Sequence, residues 1–168
     1  MSIRLIFTNN SVKNTTLGCD SLGIHYEVSK SKDDGIVSVA RWDWHTDQSV
    51  TIGQFRLPLF SKDQIKLARD TKLYTQYSSR SFEADNGAVY RWKLKREGIN
   101  ANHVLYYDDE MDGSDPLVKY CRHYRTSNEP SYLEILDSSV MDSLDLIVVT
   151  FLIMEKKKRD RDKSSGGN

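Results

Sequence analysis

The sequence predicts a mainly β protein whose strands surround one buried hydrophobic helix near the C terminus. Short segments of alternating apolar and polar residues recur along the chain and are separated by turn residues, as is typical of antiparallel sheets. Near the C terminus, only Asp145 and Thr150 interrupt an apolar run from Leu144 to Met154. A segment without a polar face must be covered by protein, and the predicted strands are available to cover it.

Nine segments are predicted to be strands, because their residues alternate or are rich in β-branched and aromatic side chains. Residues that favour turns separate them, including Asn9-Asn10, Asp33-Asp34-Gly35 and Asp112-Gly113. The predicted strands cover residues 3–7, 24–28, 36–44, 50–57, 81–84, 88–95, 104–107, 117–125 and 132–136.

The clearest predicted hairpin turns at Asp85-Asn86-Gly87, because these residue types tolerate the positive φ angles of a tight turn. In the strand after the turn, three apolar side chains share the face expected to meet the core, namely Tyr90, Trp92 and Leu94. Three cationic side chains share the outer face of that strand, namely Arg91, Lys93 and Lys95.

Segment 60–77 is open to two interpretations. Ser61-Lys-Asp-Gln has the pattern of a capping box and predicts one or two helical turns. Residues 64–68 instead alternate as a strand does. The periodicity of the segment does not decide between them.

The apolar C-terminal segment is either a fully buried strand or a buried helix. Its β-branched residues, such as Ile147, Val148 and Val149, favour a strand. Its ends favour a helix over about residues 141–157, since aspartates precede it and basic residues follow it, in line with the helix dipole. It is too short to cross a bilayer, which takes about 20 apolar residues.

Several spaced motifs connect this pattern with a known architecture. They are Arg80-Ser-Phe, Asp85-Asn-Gly, Tyr90-Arg-Trp-Lys, Arg122-His-Tyr-Arg, Leu133-Glu-Ile and Leu144-Asp-Leu-Ile-Val-Val-Thr-Phe. In these motifs the sequence resembles a group of small uncharacterised fungal proteins, and the resemblance covers nearly the whole chain. That group is related to the tubby-like, LURP-one-related and scramblase barrels.

The resemblance implies a closed antiparallel β-barrel of about twelve strands around a central helix. Segments 14–19 and 60–77 are then expected to supply strands beyond the nine. Relatives of this kind include phosphoinositide-binding modules and proteins that act at membranes. Fold analogy alone does not establish function.

Composition indicates one globular domain over residues 1–159, followed by a disordered basic and Gly/Ser-rich tail over 160–168. The chain has 24 basic and 24 acidic side chains, and this balance argues against a nucleic-acid binder, which usually carries a basic excess. The charges are unevenly placed. Residues 155–163 carry six basic and three acidic side chains, so the rest of the chain has a net charge of −3.

Cysteine usage and the N terminus predict a cytoplasmic protein, and the basic residues described below suggest a position peripheral to membranes. Cys19 and Cys121 are far apart and fit neither a disulfide framework nor a paired-cysteine metal motif. The apolar run at residues 3–7 is shorter than the core of a signal peptide, which has about 7–15 apolar residues.

Three weak motifs suggest chemistry. Asp43, His45 and Asp47 would share a strand face and could hold a divalent metal, although they stand far apart for one ion. Loop 108–116 begins like a calcium-binding loop, but Lys119 occupies the position of the bidentate glutamate. Cys121 and His123 could form a thiolate–imidazole pair. Because no established catalytic signature occurs, we expect no enzyme, cofactor or metal.

Basic residues are the stronger candidates, because cationic side chains hold phosphorylated headgroups through charge-assisted hydrogen bonds. The predicted anion-binding residues are Arg91, Lys93, Lys95, Arg122, His123, Arg125, Lys156, Lys157, Lys158 and Arg159. The first six would form one patch if their strands are neighbours. For the basic residues on the strands, the alternative is a solvated outer face whose charges are paired with Glu83 and Glu97. For the cluster 156–159, the alternative is that its positive charges complement the negative end of the helix dipole.

The leading hypothesis is therefore a non-enzymatic intracellular module that binds anionic phospholipid at a membrane surface. A second hypothesis is a protein-interaction or structural module with a tyrosine-rich surface formed by Tyr74, Tyr77, Tyr106, Tyr107, Tyr120, Tyr124 and Tyr132. A third is an enzyme that uses Cys121 and His123, or Asp43 and His45.

Overall fold

A computed structural model confirms the mainly β prediction: eleven antiparallel strands and one long C-terminal helix. It describes residues 2–58, 62–68, 81–97, 100–109, 114–123 and 128–165. The strands are β1 (Ile3–Phe7), β2 (Thr15–Cys19), β3 (Ile24–Lys30), β4 (Val37–Asp43), β5 (Gln48–Arg56), β6 (Gln64–Leu67), β7 (Ser81–Glu83), β8 (Val89–Glu97), β9 (Asn100–Tyr107), β10 (Val118–Cys121) and β11 (Tyr132–Ile135).

The strands form one sheet in the order β6-β5-β4-β3-β2-β1-β11-β10-β9-β8-β7. Each of the two runs, β1 to β6 and β7 to β11, follows chain order, and every paired neighbour is antiparallel. β1 joins the two runs by pairing with β11, where Leu5 lies opposite Leu133. Because neighbouring strands alternate in direction, the connecting turns lie at two opposite ends of the sheet.

All nine predicted strands are present, and β2 and β6 lie in the two segments where the family resemblance implied further strands. Residues 64–67 are a strand, not a helical turn, because Ile65 pairs opposite Phe55 of β5. The predicted strand 117–125 is shorter, since β10 ends at Cys121. Residues 59–61, 69–80 and 124–127 lie outside the described residues.

The predicted hairpin is confirmed. β7 and β8 pair with Phe82 opposite Tyr90, and Gly87 adopts a φ of 78° in the turn. Asn86 completes the turn by accepting a hydrogen bond from the amide of Ala88 through Oδ1, at 3.0 Å. The predicted inward face is also confirmed, because Tyr90 and Trp92 are fully buried.

The C-terminal segment is a helix, α1 (Leu144–Ser165), preceded by a short 3-10 helix (Ser138–Ser143). Asp137 caps the 3-10 helix by accepting a 2.8 Å hydrogen bond from the amide of Ser139. The expected disordered tail is wrong for residues 160–165, which are helical. Basic and acidic residues four apart, such as Lys156 with Asp160, support these turns. Residues 166–168 lie outside the described residues.

Strands from both runs of the sheet pack on α1 from different sides. The ring of Phe151 lies 6.0 Å from Phe7 of β1 and 4.7 Å from Tyr120 of β10, measured between centroids. Val149 lies against Gly53 of β5. Since Ile147, Val148, Val149, Phe151 and Leu152 are all fully buried, the prediction of a helix covered on every side is confirmed.

Candidate functional site

The outer face of β8 carries the first predicted basic group, but two of its three side chains interact within the protein. Arg91 forms an ion pair with Asp108, and its Nε lies 3.3 Å from the hydroxyl of Ser81. The ammonium of Lys93 lies 5.2 Å from the centre of the Tyr106 ring. Lys95 is exposed near the end of the strand.

The second predicted basic group does not extend the first, because β9 lies between β8 and β10. Arg122 points inward, with a guanidinium nitrogen 3.8 Å from Glu155. His123 turns towards Glu129, at 3.6 Å. Arg125 lies outside the described residues. One patch from these two groups required neighbouring strands, and β8 and β10 are not neighbours.

Arg122 joins a buried ionic network around Glu155, whose side chain is 1% exposed. Oε1 of Glu155 accepts a 2.7 Å hydrogen bond from Nε of Arg159, and its Oε2 lies 3.4 Å from Nε2 of His103. Burial alone would raise the pKa of Glu155. The hydrogen bonds from His103 and Arg159 outweigh burial and lower the pKa below its ordinary value.

Arg159 connects this network to the sheet. Its guanidinium donates to the backbone oxygen of Asn10 at 3.0 Å and to the side-chain oxygen of Asn10 at 2.9 Å. It also lies 3.3 Å from the hydroxyl of Tyr120. Arg159 thus anchors α1 to the turn between β1 and β2, and its charge is used inside the protein.

The cluster Lys156, Lys157, Lys158 and Arg159 lies inside the helix, not at its end. Because α1 continues to Ser165, the expected role of complementing the negative end of the helix dipole falls to Lys163, the basic residue of the last turn. Lys156 pairs with Asp160, and Lys157 pairs with Asp63 in front of β6. Lys158 is buried and lies 3.7 Å from Asp162.

A different set of lysines gathers beside this part of the helix. Burial lowers the pKa of Lys13, and the positive charges of Lys156, Lys30 and Lys163 lower it further, while Asp160 opposes them. These four lysines, which we call the Lys13 cluster, come from the β1–β2 turn, the end of β3 and α1. A lysine whose ammonium is disfavoured by three others marks a concentration of positive charge that an anion would relieve.

The alternating strands place charge of opposite sign at the two ends of the sheet. We call the end where α1 begins the acidic end and the opposite end the basic end. At the acidic end lie Asp20, Asp43, Asp47, Asp85, Asp108, Asp109, Asp115, Asp137, Asp142 and Asp145. The turns and helical residues of the basic end carry Lys13, Lys30, Lys32, Arg56, Lys62, Lys156, Lys157, Lys158, Arg159, Arg161 and Lys163.

Acidic residues at the basic end are fewer and include Asp33, Asp34, Asp63, Glu129, Glu155, Asp160 and Asp162. The basic end therefore keeps a positive excess after its internal ion pairs are counted. A net charge of zero therefore conceals an uneven distribution of charge between the two ends.

A cavity of about 180 Å³ lies at the acidic end, between the two edges of the sheet. Leu67 of β6 and Ala84, which follows β7, both line it, together with the start of α1. Its polar side includes Asp142 and Asp145. Asp145 is held by the hydroxyl of Tyr26 at 2.8 Å and by Arg41 at 2.9 Å. The excess of carboxylates makes this cavity unsuitable for an anion.

The motif Asp43, His45 and Asp47 lies at the end of β4 and in the turn that follows it. Asp43 accepts hydrogen bonds from the amide of His45 at 2.9 Å and from the hydroxyl of Thr46 at 3.0 Å, so its carboxylate closes the β4–β5 turn. The described ranges contain no group of three residues arranged to hold a metal ion. Loop residues 110–113 lie outside the described residues.

The tyrosines expected at the surface are divided between the core and the strand faces. Tyr120 is buried against Phe151. Tyr106, Tyr107 and Tyr132 are half-buried. Tyr74, Tyr77 and Tyr124 lie outside the described residues.

Residues 10–160 match a family of unknown function, DUF6593. The chain belongs to this family. The DUF6593 match includes β2 to β11, Lys13, the Glu155 network and Lys156, and it leaves out β1 and Lys163. No curated protein and no solved structure matches the chain. Among the described residues of this DUF6593 protein, no helix is both long and apolar enough to cross a membrane.

Sequence reasoning placed Lys156 and Lys163 in one basic stretch but missed Lys13 and Lys30 as their neighbours. Lys13 and Lys30 lie on elements other than α1, so the spacing along the chain gives no signal for them. The strand pattern contained a signal, because turns at the same end of an antiparallel sheet alternate along the sequence. The charges of alternate turns would have separated the acidic end from the basic end.

Proposed function

We propose that this DUF6593 protein is a non-enzymatic module that binds anionic phospholipid at a cytoplasmic membrane surface through its basic end. The observation that carries the proposal is the Lys13 cluster, in which Lys30 and Lys163 are exposed and Lys13 and Lys156 are partly buried. Lys30, Lys156 and Lys163 add positive charge around Lys13, and Asp160 opposes them. Phosphate oxygens would supply the negative charge that the fold does not.

The geometry favours a surface over a deep pocket. The cluster lies on the side of α1 and on two turns, and the cavity of about 180 Å³ lies at the opposite end of the sheet. Each lysine near an anionic leaflet contributes about 1 kcal/mol, so several at one end of the sheet give reversible, salt-sensitive binding. The acidic end would then face away from the membrane.

Vesicle flotation tests this proposal. The protein is expected to float with phosphatidylcholine vesicles that contain phosphatidylserine, to remain unbound with phosphatidylcholine alone, and to dissociate at high salt. The double variant Lys13→Glu with Lys163→Glu is expected to lower binding by more than about tenfold, because two favourable charges become repulsive.

The matched control changes the same amount of charge on the strand faces of the sheet, with Lys66→Glu on β6 and Lys93→Glu on β8. This variant is expected to keep most of the binding. Equal binding by the wild type and the Lys13→Glu, Lys163→Glu variant, or equal flotation with neutral and anionic vesicles, would contradict the proposal.

We further infer that the sheet closes around α1, as in the tubby-like, LURP-one-related and scramblase barrels. Two observations support closure: strands from both runs pack on the helix, and residues of β6 and of the β7 end line one cavity. Slow hydrogen exchange at the edge amides of Ile65 and Glu83, which point away from β5 and β8, is expected for a closed barrel. Exchange as fast as in a peptide would contradict it.

A further inference from the structure

The acidic end presents an exposed tryptophan that the proposed lipid contact does not use. Trp44, in the turn after β4, is 64% exposed, whereas Trp92 in the core is 1% exposed. Leu22, in the turn between β2 and β3, is 50% exposed. It precedes Gly23, whose backbone oxygen accepts a hydrogen bond from the indole of Trp44. We call these two exposed side chains, whose turns are joined by this hydrogen bond, the Trp44 patch.

The indole of Trp44 is held in one orientation. Its N–H is fixed by Gly23, and its ring meets Trp42 edge-on, with centroids 6.0 Å apart and planes at 69°. An aromatic ring that is already fixed loses little conformational freedom when a partner covers it. Tryptophan is also among the residues that most often dominate binding at protein interfaces.

The charge around the patch is negative. Asp20, Asp43 and Asp47 lie in the same two turns, and residues 20–23 and 43–48 contain no lysine or arginine. The pKa of Asp43 is lowered by hydrogen bonds from the amide of His45 and from Thr46, so its carboxylate is charged at neutral pH. The nearest strand cation, Arg41, is paired with Asp145.

We propose that the Trp44 patch binds an arginine-bearing segment of a partner protein. A guanidinium can stack on the indole face and donate hydrogen bonds to a neighbouring carboxylate at the same time, whereas an ammonium is a compact, strongly hydrated charge. Leu22 adds apolar surface for the neighbouring residues of that segment. The site lies at the opposite end of the sheet from the Lys13 cluster, so a membrane-bound molecule could still engage this partner.

The test uses a nine-residue oligo-arginine peptide as the probe, measured by calorimetry and by tryptophan fluorescence. The wild type is expected to bind oligo-arginine more tightly than oligo-lysine of the same length. Trp44→Ala is expected to weaken oligo-arginine binding by about tenfold, and Trp44→Phe by less, since phenylalanine keeps an aromatic face. The control variant Lys13→Glu with Lys163→Glu is expected to bind the peptide no more weakly than the wild type.

Three results would overturn the proposal. One is equal affinity of the wild type and a folded Trp44→Ala variant for oligo-arginine. If Trp44→Ala does not fold, the double variant Asp20→Asn with Asp47→Asn replaces it. Equal affinity of the wild type and this double variant for oligo-arginine would also overturn the proposal. The third is salt-sensitive self-association of the chain, seen by sedimentation and lost in Trp44→Phe, which would assign the patch to a second copy of this protein.

Discussion

Val149 of α1 lies so close to Gly53 of β5 that no side chain fits between them. A methyl group placed on Gly53 would come within 2.9 Å of Cγ1 and 3.0 Å of Cγ2 of Val149. Both residues are buried, and the two Cγ atoms belong to a β-branched side chain with little rotamer freedom. The backbone of β5 therefore packs directly against the Val149 side chain of α1. This close approach requires glycine at position 53.

We predict that Gly53→Ala lowers the free energy of unfolding by about 1–3 kcal/mol, the usual cost of overpacking a core. Urea denaturation measures it. In the double variant with Val149→Ala, the added methyl gains room, so the two changes should cost less together than the sum of the single changes. Simple additivity would contradict the contact.

Val149→Asp is expected to prevent folding. The side chain is fully buried, and an unpaired buried carboxylate costs several kcal/mol against a total stability of about 5–15 kcal/mol. Circular dichroism and size-exclusion chromatography measure the outcome. Lys163→Asp, on an exposed turn of the same helix, is the matched control and should fold. A folded, monomeric Val149→Asp protein would show that the helix is not enclosed.

Thr150→Val is expected to destabilise the protein by about 1–3 kcal/mol although the two side chains have the same shape. The hydroxyl of Thr150 accepts a 3.0 Å hydrogen bond from the indole N–H of Trp92 in the core. Valine leaves that N–H buried without an acceptor. Thermal denaturation should show Thr150→Ser, which keeps the hydroxyl, to be the milder change. The opposite order would assign the effect to packing of the methyl group.

Glu155 should make stability depend on acid pH. Its pKa in the folded protein is below the ordinary value of 4.5. Its ionised form therefore contributes stability at pH values above about 4.5, and this contribution is lost as pH falls through the lowered pKa. Glu155→Gln should cost about 3–5 kcal/mol at pH 7, because the buried cations lose their counter-charge.

Urea denaturation at pH 7 and pH 3.5 isolates this contribution. The difference in unfolding free energy between the wild type and Glu155→Gln should shrink at the lower pH, because pH 3.5 is below the ordinary pKa of 4.5 and Glu155 of the unfolded chain then takes up a proton. A difference that stays constant with pH would indicate that Glu155 is not held as a carboxylate.

The local residues were sufficient to predict most elements. The Asp85-Asn86-Gly87 turn and the alternation of β8 predict a hairpin, because turn chemistry and side-chain period are properties of neighbouring residues. The same is true of the apolar run from Leu144. The sequence predicted that the helix ends near residue 157, whereas α1 continues to Ser165. The ion pair between Lys156 and Asp160, which supports the last turns, forms only once both residues are helical.

The site depended on relations that sequence spacing does not contain. From the sequence, Arg122 and Arg159 are predicted to be surface cations. In the structure, the positions of β10 and α1 bring both side chains to Glu155 inside the fold. Lys13, Lys30 and Lys163 are distant in the chain and meet only because strand direction alternates. The sequence by itself determined the element types and the total charge, which depend on local propensity and composition. Only the tertiary structure decided which charges are buried and which gather at each end, because burial and proximity depend on strand order.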